Sequence, residues 1–363
     1  MNEIYHNFDL NIEHTEEGDS VHVLASPAGT ASIPFTWPLD QQELTHFVAG
    51  LADPDTSTNK ATLTQAYGMQ LFQTIFQGEV GQRLQESIHL VYQKRERLRL
   101  RLHISQIPDL VNLPWEYLYD PTHNEFYGLT RHTPLVRYIN LMQHLLPLNV
   151  GPPLRMLVVV SDPDGYPHRD AEREWIMLAD ALDYLALEGL LIVERLRRPT
   201  LFNLQQRLRQ EEHHILHFIG HSQFSRANND GQLVLEDEVG RGRLISGQHL
   251  GALLHDHYSL RLAVLQSCNN ARRPMEDSLA YATQHLVQRG IPAAVSVPFS
   301  LSDRANVAFM QEFYGAITHN EPVDFAMTAA RRSIHEFTDG VEWGMPALVM
   351  RTEDGKLFNV RGV

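Results

Sequence analysis

The sequence predicts an α/β fold built on a mostly parallel sheet. Two observations carry this. Short runs of Val, Ile and Leu, too short for helices, recur from residue 155 onward. Between them lie segments of helical length with apolar residues on one face, and strands alternating with such helices imply layers around a parallel sheet.

"RMLVVVS" (155–161) is the first strand, a continuous apolar run of the kind buried on both faces. "REWIMLADALDYLAL" (173–187) is an amphipathic helix. "LLIVERL" is the second strand, and "TLFNLQQRLRQ" is a helix capped by Thr200. "HHILHFI" is the third strand. "QLVLEDEVGRGRLIS" (232–246) alternates around a Gly-rich centre and predicts a β-hairpin. "SGQHLGALLHD" is a short helix, "RLAVLQS" (261–267) the fourth strand, and "DSLAYATQHLVQRG" (277–290) a helix ending at a Gly cap. "AAVSV" is the fifth strand. Helices at 303–318 and 322–337 follow, then "ALVMR" as the sixth strand.

Upstream the pattern is less regular. Residues 1–45 alternate weakly and predict short strands. Residues 64–94 have helical spacing, interrupted near Gly78 to Gly81. "QKRERLRLRLHI" (93–104) alternates Arg and Leu, which predicts an amphipathic strand with a solvated face. "LPLNVGPPL" (146–154) suits a linker. The expected division is therefore an N-terminal α+β region, 1–150, before a second domain, 151–363.

The 363 residues are 43% apolar and carry a formal charge of −14. Beyond the short Arg–Leu stretch there is no basic stripe, so no nucleic-acid partner is expected. No apolar run approaches the ~20 residues that span a bilayer. The first residues lack the features of a signal peptide. One cysteine excludes an internal disulfide. A cytoplasmic protein with a reduced thiol is expected. No nucleotide-binding glycine motif occurs. "DPDTSTNK" (53–60) lacks the Gly and Glu of a calcium loop.

"HHILHFIGH" (213–221) holds four histidines. On a helix, His213, His217 and His221 would share a zinc-binding face. The apolar residues between them, ended by Gly220, predict a strand instead. His213 and His217 then face one side and His214 the other, so the rings do not converge. No metal site is expected. His213 and His214 are expected to face solvent and His217 to sit in the core.

His221 falls just past the end of strand three, and Cys268 just past the end of strand four. Ligands and chemistry collect at the carboxyl ends of parallel strands. If the two strands are neighbours, their ends lie about 5 Å apart. A histidine there can take the thiol proton and return it to a leaving amine, with no cofactor.

The spacing fits a known pattern. A caspase-type nucleophile follows a glutamine, with its histidine about 50 residues upstream. Here "LQSC" follows His221 at that distance. "PTLFNLQQRLRQEEHHILHFIGHSQF", "ISGQHLGALLHDHYSLRLAVLQSCNNAR", "HLVQRGIPAAVSVPFSLSD" and "EWGMPALVMRTEDGKLFN" resemble the CHAT domain family, as does "LPWEYLYDP" before them. The likeness covers roughly residues 95–363. It implies a caspase-like three-layer sandwich with a mostly parallel six-stranded sheet. It also implies a cysteine endopeptidase with His221 as base and Cys268 as nucleophile, working through an acyl-enzyme on a protein substrate.

Relatives commonly act as effectors in bacterial defence or signalling, switched on by a sensor or partner. Caspases dimerise through an edge strand, whereas chains of this kind often join two halves, and the first 150 residues fit a degenerate half. The family usually has Gly after the histidine, with its N–H in the oxyanion hole beside that of the cysteine. Here Ser222 stands there, without glycine's easy access to φ > 0. That opens a second reading, a scaffold or interaction module that keeps the fold without turnover. By the same resemblance Gln266 matches the glutamine lining the caspase S1 pocket. Asp162, after strand one, is a candidate for contacting a basic P1 side chain. Glu236 and Asp237 are expected on a solvated edge.

Overall fold

The computed structural model describes residues 4–15, 18–36, 47, 60–104, 107–142, 145–168, 170–267, 278–298, 301–338 and 340–362. In chain order the N-terminal portion contains β1 (Tyr5–Thr15), β2 (Gly18–Ala25), β3 (Ala31–Phe35), α1 (Lys60–Ile75), α2 (Gly78–Gln93), β4 (Arg97–His103), β5 (Tyr119–Asp120), β6 (Glu125–Phe126), β7 (Leu135–Tyr138) and β8 (Leu148–Val150). Then come β9 (Leu154–Val160), α3 (Ala171–Leu187), β10 (Leu191–Arg195), α4 (Leu201–Gln210), β11 (Ile215–Gly220), β12 (Ser222–Ser225), β13 (Asp230–Glu236), β14 (Gly242–Ser246), α5 (Gly247–His255) and β15 (Leu262–Ser267). The chain closes with α6 (Ser278–Gln288), β16 (Ala293–Val297), α7 (Asp303–Thr318), α8 (Val323–Phe337), β17 (Ala347–Met350) and β18 (Phe358–Val360). No helix among the described residues is long and apolar enough to cross a membrane.

The α/β class and the six strands expected after residue 150 are present as β9, β10, β11, β15, β16 and β17. Their order in the sheet is β10-β9-β11-β15-β16-β17. All neighbours are parallel except β16 and β17. Alternation along each strand feeds two layers. Ile215, Val264 and Val295 join Leu178 of α3 and Phe309 and Phe313 of α7 in one cluster. Leu216, Phe218 and Leu265 join Leu204 of α4, Leu250 of α5 and Leu286 of α6 in the other. Thr200 caps α4, its Oγ1 accepting from the Asn203 N–H at 3.1 Å.

The sheet does not stop at six strands. β17 pairs in parallel with β7, and the sheet runs on through β4, β1, β2 and β3 to eleven strands among the described residues. One core cluster contains residues from Phe8 to Val360. Part of the expected linker is strand, because β8 pairs with β18. The interrupted helix is α1 and α2, parted at Gly78, whose φ of +54° favours a residue without a Cβ. "DPDTSTNK" (53–60), which lacks the features of a calcium loop, lies outside the described residues except for Lys60.

The Arg–Leu strand corrects an expectation. β4 lies inside the sheet between β1 and β7, and its arginine face is covered rather than solvated. Arg99 is 1% exposed and Arg101 9%. Arg101 donates from Nε and Nη2 to the Asp9 carboxylate at 2.5 and 2.6 Å. Arg99 donates from Nε to Asp324 Oδ2 at 2.7 Å. A guanidinium stays charged when buried, so only such pairing makes these positions tolerable.

Candidate active site

β11 and β15 are adjacent and in register, with Gly220 opposite Ser267. Each strand forms because a short apolar run is buried on both faces. The next residue after Gly220 is His221. The next after Ser267 is Cys268, which lies outside the described residues.

His221 is 2% exposed. Its Nε2 donates to the Pro167 carbonyl at 3.0 Å. A carbonyl only accepts, so the neutral ring carries its proton on Nε2 and its basic lone pair on Nδ1. Tyr166 packs against the ring at 5.3 Å between centroids and 31°. The loop that supplies both residues follows β9. It is pinned by the Ser161 N–H to the Ile219 carbonyl and the Asp164 N–H to the Gly240 carbonyl, each at 2.9 Å. Tyr166 and Pro167 were not foreseen from sequence. Their only signal is that they follow a parallel strand ending at the same edge as β11.

Ser222 begins β12 and pairs with Leu233 of β13. The His221 carbonyl accepts from the Val234 N–H at 2.9 Å. That register makes Ser222 and Leu233 a non-hydrogen-bonded pair, so the Ser222 N–H points away from β13. Its backbone is extended and absent from the residues with positive φ. The freedom that glycine would bring is not used here. Serine in place of glycine therefore needs no left-handed backbone at this position.

A family model for the CHAT domain matches residues 65–340, more than half of the chain. The chain belongs to the CHAT domain family. Among solved structures it is similar to the Arg-specific cysteine proteinase gingipain R, at 10% identity and a TM-score of 0.43, over 88% of this chain and 76% of that one. It is also similar to separase in the Saccharomyces cerevisiae separase–securin complex, at 12% identity and a TM-score of 0.40, over 85% of this chain and 20% of that one. The Drosophila initiator caspase Dronc follows at 10% identity and a TM-score of 0.33, over 62% of this chain and 99% of that one. A search of curated proteins returned no match.

In this CHAT chain the remaining predicted residues separate into two places. Asp162 lies in the loop beside His221, half-buried, with Oδ2 3.5 Å from His168 Nδ1. Its N–H donates to the Glu236 carboxylate. Glu236 is not on a solvated edge: burial, and then the carboxylates of Asp162 and Asp164, push its carboxyl up. Asp237 instead closes the β13–β14 turn, accepting from the Val239 and Arg241 N–H groups at 2.9 Å. Gln266 is buried on the α7 side of the sheet, where its side chain acts on the His217 ring. The structure therefore groups His221, Ser222 and Asp162 at one edge and sends Gln266 into the layer beneath.

The other three histidines have separate partners. His213 and His214 are buried, contrary to the expectation that they face solvent. His213 sits 3.3 Å from Glu194 Oε2, and His214 Nδ1 accepts the Arg155 N–H at 2.9 Å. The neighbouring Glu194 and β9 backbone give them polar company that a strand start does not advertise. His217 is in the core as expected, 2.5 Å from the Tyr314 hydroxyl.

Burial pushes the His214 and His217 rings down to about 4. The folded value lies below the unfolded one of 6.5, so the unfolded chain takes up protons first. Stability is then complete above about pH 6.5 and falls as pH drops toward 4. Each ring contributes a slope of about 1.4 kcal/mol per pH unit in that window. Urea unfolding between pH 5 and 6.5 should show a shallower slope for His217→Gln than for wild type. Identical slopes would refute the assignment.

Proposed function

We propose that this CHAT chain is a cysteine endopeptidase with a His221–Cys268 dyad. The observation that carries the reading is the register of β11 and β15, which ends both strands level with Gly220 opposite Ser267, His221 and Cys268 being the next residues in sequence. Support comes from the Pro167 carbonyl, which holds Nε2 and leaves Nδ1 as the basic nitrogen.

In this reading Nδ1 takes the Cys268 proton, and the thiolate attacks the scissile carbonyl. The N–H groups of Ser222 and Cys268 hold the oxyanion. The imidazolium protonates the departing amine, and water then releases the acyl group. The chemistry uses no metal or organic cofactor.

Asp162, with Glu236 beside it, makes the adjoining loop acidic and suited to a Lys or Arg at P1. Gln266 is left out of the S1 pocket, because it is buried on the α7 side of the sheet beside His217. The role we assign is an effector in bacterial defence or signalling, acting in the cytoplasm on a protein substrate after a sensor or activator engages it.

A peptide-library cleavage profile tests this, with Cys268→Ala as control. Cuts after Arg and Lys that vanish in Cys268→Ala are the expected result. Cuts lost in the control but without basic preference would remove Asp162 from the S1 assignment. Cuts that persist in the control would remove the dyad.

A further inference from the structure

β12 and β13 grip the first turn of α6 at three points. Ser278 Oγ donates to Ser222 Oγ at 2.7 Å. The Ser278 carbonyl oxygen lies 1.7 Å from where a Cβ on Gly231 would sit, so backbone meets backbone with no room between. The rings of Phe224 and Tyr281 meet at 4.6 Å and 42°.

These contacts join two chain positions that matter together. Ser222 directly follows His221. Ser278 begins the helix to which the segment from Cys268 to Asp277 leads. We propose that Ser222 and Ser278 are positioning residues, a hydroxyl pair that ties the helix after the nucleophile segment to the strand after the histidine. The inference rests on the dyad reading of His221 and Cys268.

The physical case is one of tolerance. A nucleophile and its base must meet at hydrogen-bond distance, and an error near 1 Å costs on the order of a hundredfold in rate. Gly231 and the Phe224–Tyr281 pair press α6 against the hairpin. The hydroxyl pair adds a bond with a preferred length and angle. Glycine at position 222 would lack that bond. Ser278 is 8% exposed, so water has poor access to replace the partner.

The test uses the full chain and a peptidyl thiol-reactive probe with Arg at P1. Cys268 is the only cysteine, so labelling reports one site. Inactivation rate and probe affinity are measured separately for wild type, Cys268→Ala, Ser222→Ala, Ser278→Ala, the double variant and Ser222→Thr. Each alanine variant should lower the maximal inactivation rate roughly threefold to tenfold, with probe affinity unchanged. The double variant should be no slower than the singles, and Ser222→Thr, which keeps the hydroxyl, should recover most of the rate.

Wild-type rates in both single variants would overturn the proposal, as would losses that multiply in the double. An affinity change at constant rate would also overturn it, since that marks a substrate contact. Failure of wild type to label would overturn the dyad and the positioning pair together. Labelling of wild type with no effect of the serines would overturn the pair alone.

Discussion

Alanine at Cys268 should abolish covalent labelling and lower peptide turnover by about a thousandfold or more, and His221→Ala should do nearly as much. A free thiol is only slightly ionised at pH 7, so the nucleophile needs a base within reach. In the proposed dyad His221 is that base, with the Pro167 carbonyl holding the ring proton on Nε2. The two losses should not multiply, because base and nucleophile act as one unit. Turnover of a basic-P1 peptide by the two single variants and the double checks this. Equal labelling of wild type and His221→Ala would separate the cysteine from the histidine.

The largest expected effect on stability is at Arg99 and Asp324. Either residue replaced alone, as Arg99→Met or Asp324→Leu, should cost about 3–5 kcal/mol, because its partner is left charged and buried. Both groups are nearly inaccessible, at 1% exposure each. Arg99 also donates to the Glu353 and Asp354 carbonyls at 3.2 and 3.0 Å, so it ties β4 to α8 and to the segment before β18. The double variant should regain much of the loss, since two apolar side chains leave no orphaned charge. Urea unfolding of the three variants measures it. A single-variant cost under about 1 kcal/mol, or a double variant as poor as the sum, would show that the pair does not act this way.

What could be read from sequence follows from the range of each interaction. The strands and helices after residue 150 were legible because their periodicity is local. β11 and β15 were legible as strands because each is a short apolar run buried on both faces. The arginines of β4 were not. Their carboxylates stand 92 and 225 positions away, and alternation alone cannot distinguish water from a distant Asp. The same holds for His213 and His214, whose burial depends on Glu194 and Arg155. Pro167 was invisible for another reason: its contribution is a backbone carbonyl, which every residue has. The eleven-stranded sheet was missed because nothing local in Leu135–Tyr138 says that it pairs with Ala347–Met350.

That last pairing has a consequence for how the molecule is put together. β17 has a strand on each side, so its edge presents no open ladder for a second copy to join. The strand beside it, β7, comes from the same polypeptide. The joining strand is present at the effective concentration set by the intervening chain, whatever the number of copies in the cell. Pairing of β17 with β7 is thus an event within one folding chain.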